Sequence, residues 1–184
     1  MSEDQLAKAR ENAAKVKVEV EFFKQDARYF NFNEKYDVAL MLCEGSFPFM
    51  ETDEMNFAIL QNIYSSVKPG GKFIFTTLNG LFPLFHSVKD FVNENSVTGT
   101  SKALSFDLMT FRDYNEYSFA DDNGKSKVLK CNERYYVPSE ITWLLKSIGF
   151  INISIHGCIT GQFSRDVALN TDHFEMLIIA EKSV

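Results

Sequence analysis

Cysteine is scarce in this chain. Only Cys43, Cys131 and Cys158 occur among 184 residues, widely spaced and with no CxxC pair. So sparse and odd a set excludes a disulfide framework and a cysteine-built zinc site, and it reads as reduced thiols in a cytosol. Basic residues are the minority charge, 19 against 25 acidic, for a net charge of -6. A phosphate-backbone binder needs a basic face, so nucleic acid is not an expected partner. Long apolar runs are missing too. Residues 73–75 and 176–180 fall far short of the ~20 residues that span a bilayer, so no membrane partner is expected. The opening Met1-Ser2-Glu3-Asp4-Gln5 is polar and acidic, unlike a secretory signal. There is no internal repeat, linker, low-complexity tract or metal-ligand cluster.

What is present suffices for one buried core and a single domain over 1–184. The chain is 45% hydrophobic and 24% charged, a balance that folds rather than stays disordered. Eighteen phenylalanines are many for this length and point to a large core or an aromatic-lined pocket.

Helical spacing of Leu6, Ala9, Ala13 and Val16 predicts a helix over 3–16, with Ser2 as its cap. Alternation and β-branching predict a strand at 18–23 (VEVEFF). The continuous apolar run 37–43 suits a strand covered on both faces. Residues 52–67 are a helix with Met55, Ile59, Leu60, Ile63 and Val67 as its stripe. Lys68-Pro69-Gly70-Gly71 ends it, and 72–78 is the next buried strand. Residues 81–93 read as helical. Segments 105–119 and 125–137 alternate around Asp121-Asp122-Asn123-Gly124, and Asn-Gly between such segments is a hairpin signal. Then follow a helix over 139–148 stopped by Gly149, a strand over 151–156 and an apolar strand over 174–181. Strand–helix–strand pieces with short connections make the class α/β. The hairpin is too polar for the sheet centre and reads as an antiparallel insertion, with 78–137 as helix plus lid.

Three stretches in this order resemble class I S-adenosylmethionine-dependent methyltransferases. They are Gln25-Asp26-Ala27-Arg28 with Lys35-Tyr36-Asp37-Val38, then Val67 to Ile74 through the Pro69-Gly70-Gly71 turn, then Tyr136-Val137-Pro138-Ser139-Glu140-Ile141 to Gly149-Phe150. The resemblance covers nearly the whole chain and implies a Rossmann-like sheet of order 3-2-1-4-5-7-6. One part of the pattern is missing. No GxGxG loop, which lets the backbone approach the cofactor, occurs in the chain, and the acid that ends strand two is absent. The opening resembles an internal stretch of the family, so the resemblance implies a sheet without its first two strands, a chain beginning inside its own fold.

The same resemblance supplies the site expectations. Asp26 would accept from the adenine amino group and the Ala27 amide would meet the ring. Cys43 and Glu44 would lie beside the cofactor, since ligands of open α/β sheets sit at strand C-terminal ends. Phe47, Arg134 and Tyr135 would bind the acceptor, the last two from the lid. Catalytic candidates are Glu44 and His86, each set against a plain surface or packing role. No Asn/Asp-Pro-Pro-Tyr and no Pro-Cys occurs, which weighs against methylation of adenine N6 and cytosine C5. The leading expectation is S-adenosylmethionine-dependent methyl transfer to a small molecule. The missing loop implies that this chain holds the cofactor weakly or not at all. The rival is a non-catalytic remnant of the fold acting by self-association. A third reading, a short-chain dehydrogenase, would want a Gly-rich turn as well. Exposed sheet edges further imply a homodimer.

Overall fold

In a computed structural model, described for residues 2–43, 47–86, 101–121, 123–159 and 162–184, the elements in chain order are α1 (Glu3–Val16), β1 (Tyr36–Met41), α2 (Asp53–Ser66), β2 (Val67–Leu78), α3 (Leu81–Phe85), β3 (Ser101–Asp107), β4 (Arg112–Ala120), β5 (Ser126–Arg134), α4 (Pro138–Ile148), β6 (Phe150–Cys158) and β7 (Glu175–Lys182). They build two sheets. One has the order β1-β2-β7-β6 and the other β3-β4-β5. β1 and β2 are parallel, joined by α2 as a crossover, and β7 runs antiparallel between β2 and β6. This order matches the 4-5-7-6 half of the expected sheet.

Local chemistry explains each boundary. The Thr52 hydroxyl caps α2 by accepting from the Met55 amide at 3.3 Å. The α2 stripe buries Ile59, Leu60 and Ile63 against the sheet. At its end Gly70 has φ +74°, and a Cβ on Gly71 would lie 2.8 Å from the Asp37 carbonyl oxygen. Only glycines let the chain turn so tightly and then pass so close to β1. Pro138 opens α4, and Gly149, at φ +115°, closes it.

The core lies between the four-stranded sheet and helices α2 and α4. Phe73 and Phe75 of β2 stack with centroids 4.4 Å apart, and both are fully buried with Met176 and Ile178 of β7 and Ile141 and Leu145 of α4. Burial of a side chain of this size stabilises by about 1.5–3 kcal/mol. Among the described residues four of the phenylalanines, Phe47, Phe73, Phe75 and Phe150, are buried in this core.

Two expectations change. Residues 18–23 are not a strand, and Val18, Val20 and Phe23 are exposed. Alternation specifies a strand only where a neighbour takes up its backbone hydrogen bonds, and none of the described residues pairs with this segment. β1 in turn pairs with β2 alone among the described residues, leaving Val38 and Leu40 exposed. Second, the insertion is more than a hairpin. β4 and β5 form the expected pair around Gly124, but 105–119 is not one strand. It turns at 108–111, where Phe111 has φ +53°, and β3 adds a third strand. The helix expected over 81–93 is seen as α3 to Phe85, and residues 87–93 lie outside the described residues.

Candidate functional site

The segment after α1 has no regular structure, yet α2 pins part of it. Asn62 of α2 donates from Nδ2 to the Ala27 carbonyl at 3.1 Å, and Ala27 and Phe30 pack against the core. The Asp26 carboxylate folds back on its own chain, accepting from the Arg28 amide at 2.9 Å. The Arg28 guanidinium forks onto both carboxylate oxygens, with Nη2 to Oδ2 at 2.6 Å, and its Nη1 reaches Met55 Sδ at 3.4 Å. That pairing holds the Asp26 carboxyl down at about 2, well below the usual carboxylate range. Asp26 is thus an ionised acceptor throughout the neutral range.

These residues frame a cleft of about 580 Å³ lined by Lys24, Gln25, Asp26, Ala27, Arg28 and Met50, with the buried Ile59 at its floor. Its size suits a nucleoside-sized ligand. Met50 is fixed from two sides. Its amide donates to Asn56 Oδ1 at 3.2 Å, and its carbonyl accepts from Arg112 Nη1 at 2.8 Å. Asn56 in turn donates to the Tyr136 hydroxyl at 2.9 Å. Burial pushes that phenol well above its ordinary value, so it stays neutral.

The structure brings Asp26 and Ala27 into this cleft and distributes the other expected residues elsewhere. Cys43 is exposed, with φ +57°, just beyond the C-terminal end of β1. Glu44 lies outside the described residues. Phe47 does not line an open pocket. It is fully buried, stacked on Tyr136 at 5.0 Å, because a large apolar ring is more stable there than in water. Tyr135 is likewise fully buried, with Leu78, Phe106 and Phe111. Arg134 is a joint rather than a free cation. It bonds Asp53 Oδ1 at 3.3 Å, Glu140 and the Tyr135 carbonyl, and its guanidinium lies 4.6 Å from the Tyr136 ring centroid. Arg112, directly opposite it on β4, bonds the same Asp53 oxygen at 2.6 Å. Two arginines facing each other across a sheet repel, and the Asp53 carboxylate at the start of α2 is shared between them, with Glu140 as a second carboxylate for Arg134. His86 has both ring nitrogens engaged, Nδ1 with the Phe82 carbonyl at 2.9 Å and Nε2 with Asp172 at 3.2 Å.

Arg28, Asn62, Met50 and Asn56 were not legible as site residues. Arg28 stands two residues from Asp26, a spacing that any turn shares, and the other three reach the cleft only through tertiary contacts. No helix among the described residues is long and apolar enough to cross a membrane, and no group of metal-ligating side chains occurs among them.

Residues 1–71 match the family described as "Methyltransferase domain". Solved structures extend the likeness to the rest of the chain. An S-adenosylmethionine-dependent methyltransferase from Clostridium acetobutylicum ATCC 824 superposes with a TM-score of 0.67 at 15% identity, over 100% of this chain and 73% of that one. The CcbJ methyltransferase from Streptomyces caelestis gives 0.70 at 14% identity, over 100% of this chain and 77% of that one. The glycopeptide N-methyltransferase MtfA, solved with S-adenosyl-L-methionine, gives 0.58 at 14% identity, over 99% and 75%. No curated protein matches the chain in sequence. The chain therefore has the class I methyltransferase fold, a Rossmann-like sheet carrying an antiparallel insertion. The match in sequence lies in the part that holds Asp26 and Ala27.

Proposed function

We propose that this chain serves S-adenosylmethionine-dependent methyl transfer to a small-molecule acceptor. One observation carries the reading: an ionised Asp26 and the Ala27 backbone sit side by side in a nucleoside-sized cleft, within the stretch that matches the methyltransferase domain. S-adenosylmethionine, when bound, supplies an activated methyl group. In this reading Asp26 accepts from the adenine amino group, the Ala27 amide meets the ring edge, and Met50 and Ile59 give its faces an apolar seat. Asn62 keeps the Ala27 peptide oriented. The chain's further task is to hold an acceptor in line with the methyl group, where proximity and alignment supply most of the acceleration.

The chain has no GxGxG loop, so its polar hold on the cofactor is confined to the adenine end. Calorimetric titration with S-adenosylmethionine and S-adenosylhomocysteine tests both parts. The expected result is binding weaker than about 1 μM, which is about 8 kcal/mol, lost or further weakened in Asp26→Asn. No binding of either compound at millimolar concentration overturns the cofactor reading. Sub-micromolar affinity overturns the confinement to the adenine end.

A further inference from the structure

The two faces of the three-stranded sheet differ sharply. Side chains alternate across a strand, so Arg112 and Arg134 share one face and Asp113 and Glu133 the other. On that second face Asp113 and Glu133 are directly opposite each other, and so are Asn115 and Cys131. Asn115 donates from Nδ2 to Asp113 Oδ2 at 3.1 Å. Asp113 is 2% exposed and Asn115 4%. Among the described residues neither carboxylate has an ion-pair partner, and Asp113 Oδ1 and Asn115 Oδ1 are buried with no hydrogen-bond partner.

A buried carboxylate, a half-buried one opposite it and an amide oxygen make a concentration of acceptors in which Asp113 Oδ1 and Asn115 Oδ1 have no donor among the described residues. Such groups are costly to bury unless something donates to them. A proton held between the carboxylates relieves their repulsion but leaves the amide oxygen bare. The surroundings narrow the missing donor. Phe106 stands opposite Asp113 on β3, and Tyr135 follows Glu133 by two residues on the same face, their ring centroids 5.6 Å apart. Carboxylates beside aromatic rings are the chemistry that recognises an ammonium group, through charge, N–H donation and cation–π attraction.

We propose that Asp113, Glu133 and Asn115 form a subsite for the protonated amine of the methyl acceptor, with Phe106 and Tyr135 as its aromatic wall. The inference rests on the methyl-transfer reading for the word acceptor only; the amine site stands on its own residues. Its ammonium protons are donated to Asp113 Oδ1, Asn115 Oδ1 and the Glu133 carboxylate. Burial and the Asp113 charge hold the Glu133 carboxyl up at about 7 in the bare chain, which gives a direct readout, because a bound cation favours the ionised form.

The test is a carbon-detected carboxyl titration of Glu133 in the cofactor-free chain. It is run in n-propylammonium chloride, in sodium chloride of equal ionic strength and in n-propanol. Propylammonium should lower the apparent pKa by about one pH unit, while sodium chloride and propanol leave it unchanged. In Asp113→Asn the response should vanish. Should that variant not fold, Glu133→Gln is used, and the ring-proton shifts of Phe106 and Tyr135 should no longer respond to propylammonium. Identical titrations in propylammonium and sodium chloride overturn the proposal and leave a carboxyl pair that only shares a proton. Because no cofactor is present, failure here is separate from failure of the S-adenosylmethionine titration.

Discussion

Asp26 shows how one neighbour sets a side chain's availability. Its two oxygens are occupied by the Arg28 guanidinium and amide, so a ligand donor must share lone pairs with a partner already in place. In Arg28→Ala the Asp26 pKa should climb from about 2 toward the ordinary value of 3.8, read by the carboxyl chemical shift against pH. If it stays near 2, the backbone of the turn and not the guanidinium holds it down. The acid itself was legible in the sequence because Gln25-Asp26-Ala27-Arg28 stands in a recognisable order with the strand that follows. The arginine's part was not, since it depends on the turn folding back and on Met55 arriving from α2. Phe47 and Tyr135 mark the opposite limit. Composition offered a large core or an aromatic pocket, and only packing could decide that both rings belong to the interior.

At the scale of elements, helices α2 and α4 and strands β1, β2, β6 and β7 were legible to within a few residues. The helices carry a periodic apolar stripe and a chemical stop, such as Thr52, Pro138 or Gly149, and the strands an apolar run or alternation. Residues 18–23 carried the stripe without a partner strand. β3 was hidden because its register slips between Ala103 and Ser105 and the chain then turns back at 108–111. The insertion docks on the α/β layer through Arg112 and Arg134, and both converge on Asp53 Oδ1. Asp53→Asn leaves two buried guanidiniums facing each other with one carboxylate fewer, and should cost about 1–3 kcal/mol. Chemical denaturation measures it, with Lys130→Gln, the exposed member of the pair with Glu116, as a control that should cost less than about 1 kcal/mol. Equal costs would mean that the clamp is no stronger than a surface ion pair. Tyr136→Phe removes the bond from buried Asn56 and should cost about 1–3 kcal/mol. A variant as stable as the parent would show that water replaces the phenol there.

For the whole molecule, stability should depend on pH through the second face of the insertion. Glu133 rises from 4.5 to about 7, chiefly by burial and then by the Asp113 charge, and Asp113 rises for the first of those reasons. Cys131, also on that face, is raised by burial and by the same two acids, so it stays a neutral thiol. A carboxyl with a raised pKa holds a proton in the folded state that the unfolded chain has released. Its contribution is complete at low pH and is lost as pH climbs from about 4.5 to about 7. The loss is on the order of 2 kcal/mol, discounted for partial exposure. Melting temperature should therefore fall across that window in the unliganded chain, and Glu133→Gln should flatten the fall. A flat profile in the parent would place the Glu133 carboxyl in water. The position of β7 has a consequence of another kind. Among the described residues β7, the latest strand in chain order, is an inner strand of the four-stranded sheet, bonded to β2 on one side and β6 on the other. Until residues 175–182 emerge, among the described residues β2 has only β1 to pair with, and β6 has no neighbour in the sheet. The four-stranded sheet therefore cannot close until those residues are free to pair. A nascent chain stalled before residue 175 should be open to protease and to chaperones that bind unpaired strands.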